Sequence, residues 1–137
     1  MLEAYRNHIA ERAEKNIPPQ ALKAEQVAAL IELLQTPLPG EADFLVEMIS
    51  NRVPPGVDEA AYVKAGFLSA IATGATTSPL ISKATAVKLL GNMLGGYNIE
   101  TLVTLLTDPE LGAAAATELK HTLLVFEAFH EIGRAHV

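Results

Sequence analysis

Two prolines and a glycine, set between two apolar runs, limit this chain more than any other feature. From Phe44 to Ile71 it reads FLVEMISNRVPPGVDEAAYVKAGFLSAI. Pro54 and Pro55 fix two φ angles and remove two backbone donors, so neither a helix interior nor a central strand passes through them. Gly56 permits a reversal. Phe44, Leu45, Met48 and Ile49 share a helical face before the turn, and Val63, Phe67, Ala70 and Ile71 share one after it. Asp58 is the expected N-cap of the second run, Glu59 to about Thr73. Ala61, Ala65 and Gly66 are small enough to let a neighbouring helix approach closely. Arg52, the basic residue before the turn, is suited to hydrogen-bond the last carbonyls of the first run, with partner binding as the alternative.

The flanking sequence repeats this plan. A first helix is expected from Leu2 to Lys15, with Leu2, Tyr5, Ile9 and Ala13 on one face. Asn16 closes it and Ile17-Pro18-Pro19 stops it. A second runs from Ala24 to Gln35, where Val27, Leu30, Ile31 and Leu34 form the clearest buried stripe. Thr36-Pro37-Leu38-Pro39-Gly40 ends it, and a third starts near Glu41. Gly74 ends the fourth, and Ala75 to Ile81 is expected to be a polar loop. Ser82 caps a fifth, Lys83 to Met93, with Val87, Leu90 and Leu94 inward and Gly95-Gly96 as its stop. Asn98 caps a sixth with Ile99, Leu102, Val103 and Leu106 inward. Asp108-Pro109 opens the last stretch, to Phe129, whose shared face is Leu119, Leu123 and Phe126. The expected class is all-α, with about seven short amphipathic helices. A helix pair recurs every ~35–40 residues, the rhythm of a HEAT-like α-α superhelix. A compact irregular bundle is the competing architecture.

Charge and residue usage exclude several function classes. The net charge of -6 argues for a soluble cytoplasmic protein and against a broad basic nucleic-acid surface. The absence of cysteine removes disulfides, thiolate metal sites and thiol catalysis. No apolar run reaches the ~18–20 residues of a membrane span, and Leu2 to Lys15 is charged throughout, unlike a signal peptide.

No constellation of residues carries chemistry. His8, His121 and His130 fall on different expected helices without ligand spacing, and His136 lies near the end. Gly91-Asn92-Met93-Leu94-Gly95-Gly96 lacks the Lys-Ser/Thr and the preceding strand of a phosphate loop. Asp58/Glu59 and Glu41/Asp43 stand at helix starts, where the dipole favours them. Ser50, Ser69 and Ser82 have no partner base. No catalytic, cofactor-binding or metal-ligating residue is expected in this chain.

Ile132 to Val137, IGRAHV, is what a common sequencing adapter yields when translated in this frame. Glu131 to Val137 is therefore expected to be foreign, with residues 1–130 as one domain truncated at its C-terminal end. A natural C-terminus is the alternative.

The segment Asn51 to Leu68, NRVPPGVDEAAYVKAGFL, closely resembles the N-terminal region of bacterial aconitase B. Met1-Leu2-Glu3, Tyr5-Arg6, Ala10-Glu11-Arg12-Ala13, Leu89-Leu90-Gly91, Gly95-Gly96-Tyr97-Asn98-Ile99 and His121-Thr122-Leu123-Leu124 follow the family in order. Glu100 departs, where the family often has His. The resemblance covers residues 1–130. It implies the HEAT-like accessory domain of aconitate hydratase B, a lyase of the tricarboxylic acid cycle that interconverts citrate and isocitrate through cis-aconitate. Some members also hydrate 2-methyl-cis-aconitate. The parent's 4Fe-4S cluster, its three cysteine ligands and its catalytic residues would all lie downstream, with no cofactor held here. Implied partners are the swivel and catalytic domains of the same chain, a second copy in a homodimer, and mRNA for the iron-free parent. Channel formation and protein contact are the implied work. A stand-alone helical interaction module and an RNA-binding regulatory segment are the other readings.

Overall fold

A computed structural model describes residues 1–122, and these are helical throughout, with no strand among the described residues. The helices are α1 (Leu2–Glu14), α2 (Ala24–Gln35), α3 (Ala42–Asn51), α4 (Glu59–Thr73), α5 (Lys83–Gly91) and α6 (Ile99–Leu105). A seventh helical stretch runs over 112–122. Expected core positions Leu123 and Phe126, together with His130 and the segment Glu131 to Val137, lie outside the described residues.

Local chemistry sets the ends. Asn16 adopts φ 55 after α1, the left-handed conformation that asparagine tolerates. Asp58 Oδ1 accepts the Ala60 N–H at 2.8 Å, and Ser82 Oγ accepts the Thr85 N–H at 3.1 Å, as expected of N-caps. Gly74 closes α4 in the left-handed region, φ 86.

Helix α4 is the centre of the packing. It lies against α2 on one side and α5 on the other, while α2 also packs on α3, and α5 on α6. Consecutive helices thus pair, and the pairs meet through α2 and α4. The core contains Val27, Leu30 and Leu34 from α2, Leu45, Met48 and Ile49 from α3, Leu68 and Ile71 from α4, and Val87 and Leu90 from α5. Ala60, Ala61 and Ala65 are buried along α4, where small side chains allow close approach. α1 is clamped to the start of α3: Arg6 Nη1 donates to Glu41 Oε1 at 2.9 Å, and the guanidinium lies 4.3 Å from the Phe44 ring centroid.

Several expectations are corrected. Gly66 is exposed, with nothing within 4 Å of where a Cβ would stand, so it makes no close helix contact. Leu68 and Lys64 are buried instead, because α4 is covered on two sides. Ala13 is exposed, since α1 ends at a surface turn. The loop after α4 is not simply polar: Ile81 is buried and Ser78 Oγ donates to the Leu34 carbonyl, which pins the loop to α2. Leu94 points out, since α5 stops at Gly91 rather than Met93. On α6 Leu102 and Leu105 are buried while Val103 and Leu106 are exposed. The register of α6 is fixed by its packing on α5 and by a 2.7 Å bond between Thr101 Oγ1 and Ser69 Oγ of α4.

Candidate functional site: a face built by two joined turns

The proline turn after α3 and the glycine loop after α5 lock together. Gly95, at φ 97, lies so close to Gly56 that a Cβ on it would overlap the Gly56 carbonyl and stand 2.7 Å from the Gly56 Cα. Only glycine meets both demands there, the positive φ and the backbone contact. Tyr97 Oη then donates to the Val57 carbonyl at 3.0 Å. The Tyr97 and Tyr62 rings meet edge to face, with centroids 5.3 Å apart and planes at 77°.

Beneath the loop, Asn98 is fully buried and ties it to α5. Its Nδ2 donates to the carbonyls of Leu90 at 2.6 Å and Met93 at 3.4 Å, the orphan acceptors at the helix end. It is therefore not the N-cap of α6 that the sequence suggested; no side-chain cap bond forms there. Its Oδ1 has no protein partner. On the other side of the same loop lies a groove of about 630 Å³, bordered by Lys88, Met93, Leu94, Glu118, His121 and Thr122.

The outcome is an apolar outward face on a rigid base. Val57 is 73% exposed, Tyr62 63%, Leu94 53% and Tyr97 36%, unusual for side chains of this kind. Sequence reasoning had passed over Tyr62 and Tyr97. Their signal was present: an aromatic directly after a glycine pair is placed by the loop, not by a helix stripe.

The polar residues singled out earlier have structural roles. His8 Nε2 accepts the Gln20 N–H at 2.9 Å. Ser50 offers only its carbonyl, to Lys64 Nζ at 3.4 Å. Arg52 does not reach the last carbonyls of α3, because Lys64 takes that place. The Arg52 Nε sits 3.4 Å from Glu47 Oε1 without hydrogen-bond alignment, and the Arg52 carbonyl accepts the Leu22 N–H at 2.8 Å. Asp108 accepts the N–H groups of Leu111 and Glu110, which hold its carboxyl below the usual carboxylate range. Burial pushes the Lys64 ammonium down to about 8. Among the described residues no three His, Asp or Glu side chains converge as metal ligands would.

A family model described as the aconitate B N-terminal domain matches residues 4–136, a span that reaches into the segment Glu131 to Val137. Aconitate hydratase B of Pseudomonas aeruginosa is 64% identical over 132 residues, which is 96% of this chain and 15% of that protein. Aconitate hydratase B of Escherichia coli is 56% identical over 132 residues, again 96% of this chain and 15% of that protein. The Helicobacter pylori protein of the same name is 44% identical over 133 residues, covering 96% and 16%. The chain therefore spans about 15% of the length of these curated relatives.

Proposed function

The chain belongs to the aconitate B N-terminal domain family, and on that premise we propose that it works as the accessory helical domain of a cytoplasmic aconitate hydratase B, by contact and not by chemistry. The single observation that carries this reading is the match of nearly the whole chain to that N-terminal domain. The architecture is in keeping with it: a stack of paired helices that we read as the start of a HEAT-like superhelix, with an exposed apolar face at one edge. No described helix is long and apolar enough to cross a membrane.

The parent reaction in this reading is the interconversion of citrate and isocitrate through cis-aconitate, with a 4Fe-4S cluster. These residues do not fit that cluster. The sequence has no cysteine and so offers no thiolate ligand, and the polar side chains at the joined turns are committed to backbone carbonyls. No step of the reaction is assigned to this chain. The part left to it is shape: a firm helical wall and a contact face beside domains encoded elsewhere in the longer protein.

The test is an assay of this chain alone for hydration of cis-aconitate, after iron and sulfide reconstitution, beside the full-length hydratase. Activity is expected only in the longer protein. Turnover by the short chain would overturn the reading.

A further inference from the structure

We propose that the face formed by Val57, Tyr62, Leu94 and Tyr97 is the docking surface for the rest of the same long polypeptide. The inference rests on the reading of this chain as the N-terminal part of a hydratase and names the surface that part would use.

The face is prepared for contact. The Gly95–Gly56 approach and the Tyr97–Val57 hydrogen bond hold it in place, so little conformational freedom remains to be lost on docking. The two tyrosines present an apolar body and a polar tip, the type of side chain enriched in interface cores.

Three observations favour a tethered occupant over a free one. The relatives carry more than four-fifths of their length outside the matched span, so a large covalent neighbour is to be expected. The described residues end at Thr122, which lines the groove on the other side of the loop that carries Leu94, so chain beyond this point departs from the same edge. Finally, the face offers four apolar side chains, against the roughly 20–30 residues a side of a standard interface between separate proteins. A covalent tether raises the local concentration enough for a small face to suffice. A second copy would bring the small face together with another net charge of -6.

Hydroxyl-radical footprinting of this chain and of the full-length protein tests the assignment. Labelling at Tyr62 and Leu94 is expected to fall about tenfold in the longer protein, as for residues taken into an interface core. It should do so at any protein concentration, while Leu38, 52% exposed at a different loop, keeps its rate. Val57→Asp in the longer protein should restore labelling at Tyr62 without loss of helical signal. Unchanged labelling at Tyr62 would overturn the inference. Protection of Leu38 or Leu106 instead would place the contact elsewhere, overturning this surface while leaving the proposed function intact. Protection nowhere in the chain would sink both. Protection that grows with concentration would assign the face to a second copy and overturn the tethered occupant.

Discussion

Gly95→Ala and Gly96→Ala should differ sharply in cost, although the two glycines are neighbours with nearly the same backbone. Their φ angles are 97° and 93°, so an alanine at either site carries left-handed strain of about 1–2 kcal/mol. The surroundings separate them. A Cβ at Gly96 meets nothing within 4 Å, whereas one at Gly95 overlaps the Gly56 carbonyl. The obstacle is backbone inside a proline-fixed turn, so it cannot swing aside as a side chain would. The loop and the turn must part by roughly an ångström to reach ordinary contact. That motion breaks the Tyr97–Val57 hydrogen bond, about 1 kcal/mol, and the Tyr62–Tyr97 edge contact, about 1 kcal/mol more. Gly95→Ala is thus expected to lose about 3–4 kcal/mol and Gly96→Ala about 1–2 kcal/mol. Gly56→Ala, at φ 87 with an open Cβ site, should resemble Gly96→Ala. Urea denaturation followed by circular dichroism reads these differences in the midpoint at constant slope. Equal losses for Gly95→Ala and Gly96→Ala would refute the idea that the two turns are locked backbone to backbone.

Lys64→Met should stabilise the protein at neutral pH, since a 7% exposed ammonium has no carboxylate partner and only a 3.4 Å bond to the Ser50 carbonyl. Its drop from 10.5 to about 8 corresponds to at most about 3 kcal/mol, reduced by the lost bond. The sign follows from proton counts. Below pH 8 both states hold the proton and the penalty is full. Between 8 and 10.5 the unfolded chain binds more protons, so wild-type stability should rise with pH there, and the Met variant should lack that rise. Denaturation at pH 7, 9 and 10.5 checks both, and a flat wild-type profile would contradict the burial. Gly66→Ala should raise stability by about 0.5–1 kcal/mol, as an exposed helical glycine with an open Cβ site; a lower thermal midpoint would contradict this placement. A gel-shift titration of this chain with RNA at low salt should show no binding, given a net charge of -6; a retarded band would restore the nucleic-acid reading.

What was legible in the sequence is what short-range chemistry decides. Asp58 and Ser82 are caps because an acceptor sits two or three residues before a free N–H. The bounds of α2 and α4 and the stop at Gly74 follow from similarly local rules. The stripe of α2 could be read because its other face is polar enough to leave one choice. The errors lie where a helix is apolar on several sides. In α6, Ile99, Leu102, Val103, Leu105 and Leu106 allow two stripes, and only the packing on α5 and the Thr101–Ser69 bond select Leu102 and Leu105. In α4 a lysine took a buried place because the end of α3 supplied a carbonyl, a partner distant in sequence. The candidate face was hidden for the same reason. Tyr62 and Tyr97 are 35 residues apart, and nothing local announces that Gly95 will rest on Gly56.

The central claim, that this is the helical opening of an iron–sulfur hydratase, is tested most directly by the coding sequence beyond residue 130. An in-frame continuation into further domains that bring the three cysteines of the cluster is the expected result. A stop codon at that point, leaving a complete protein without cysteine, would contradict it.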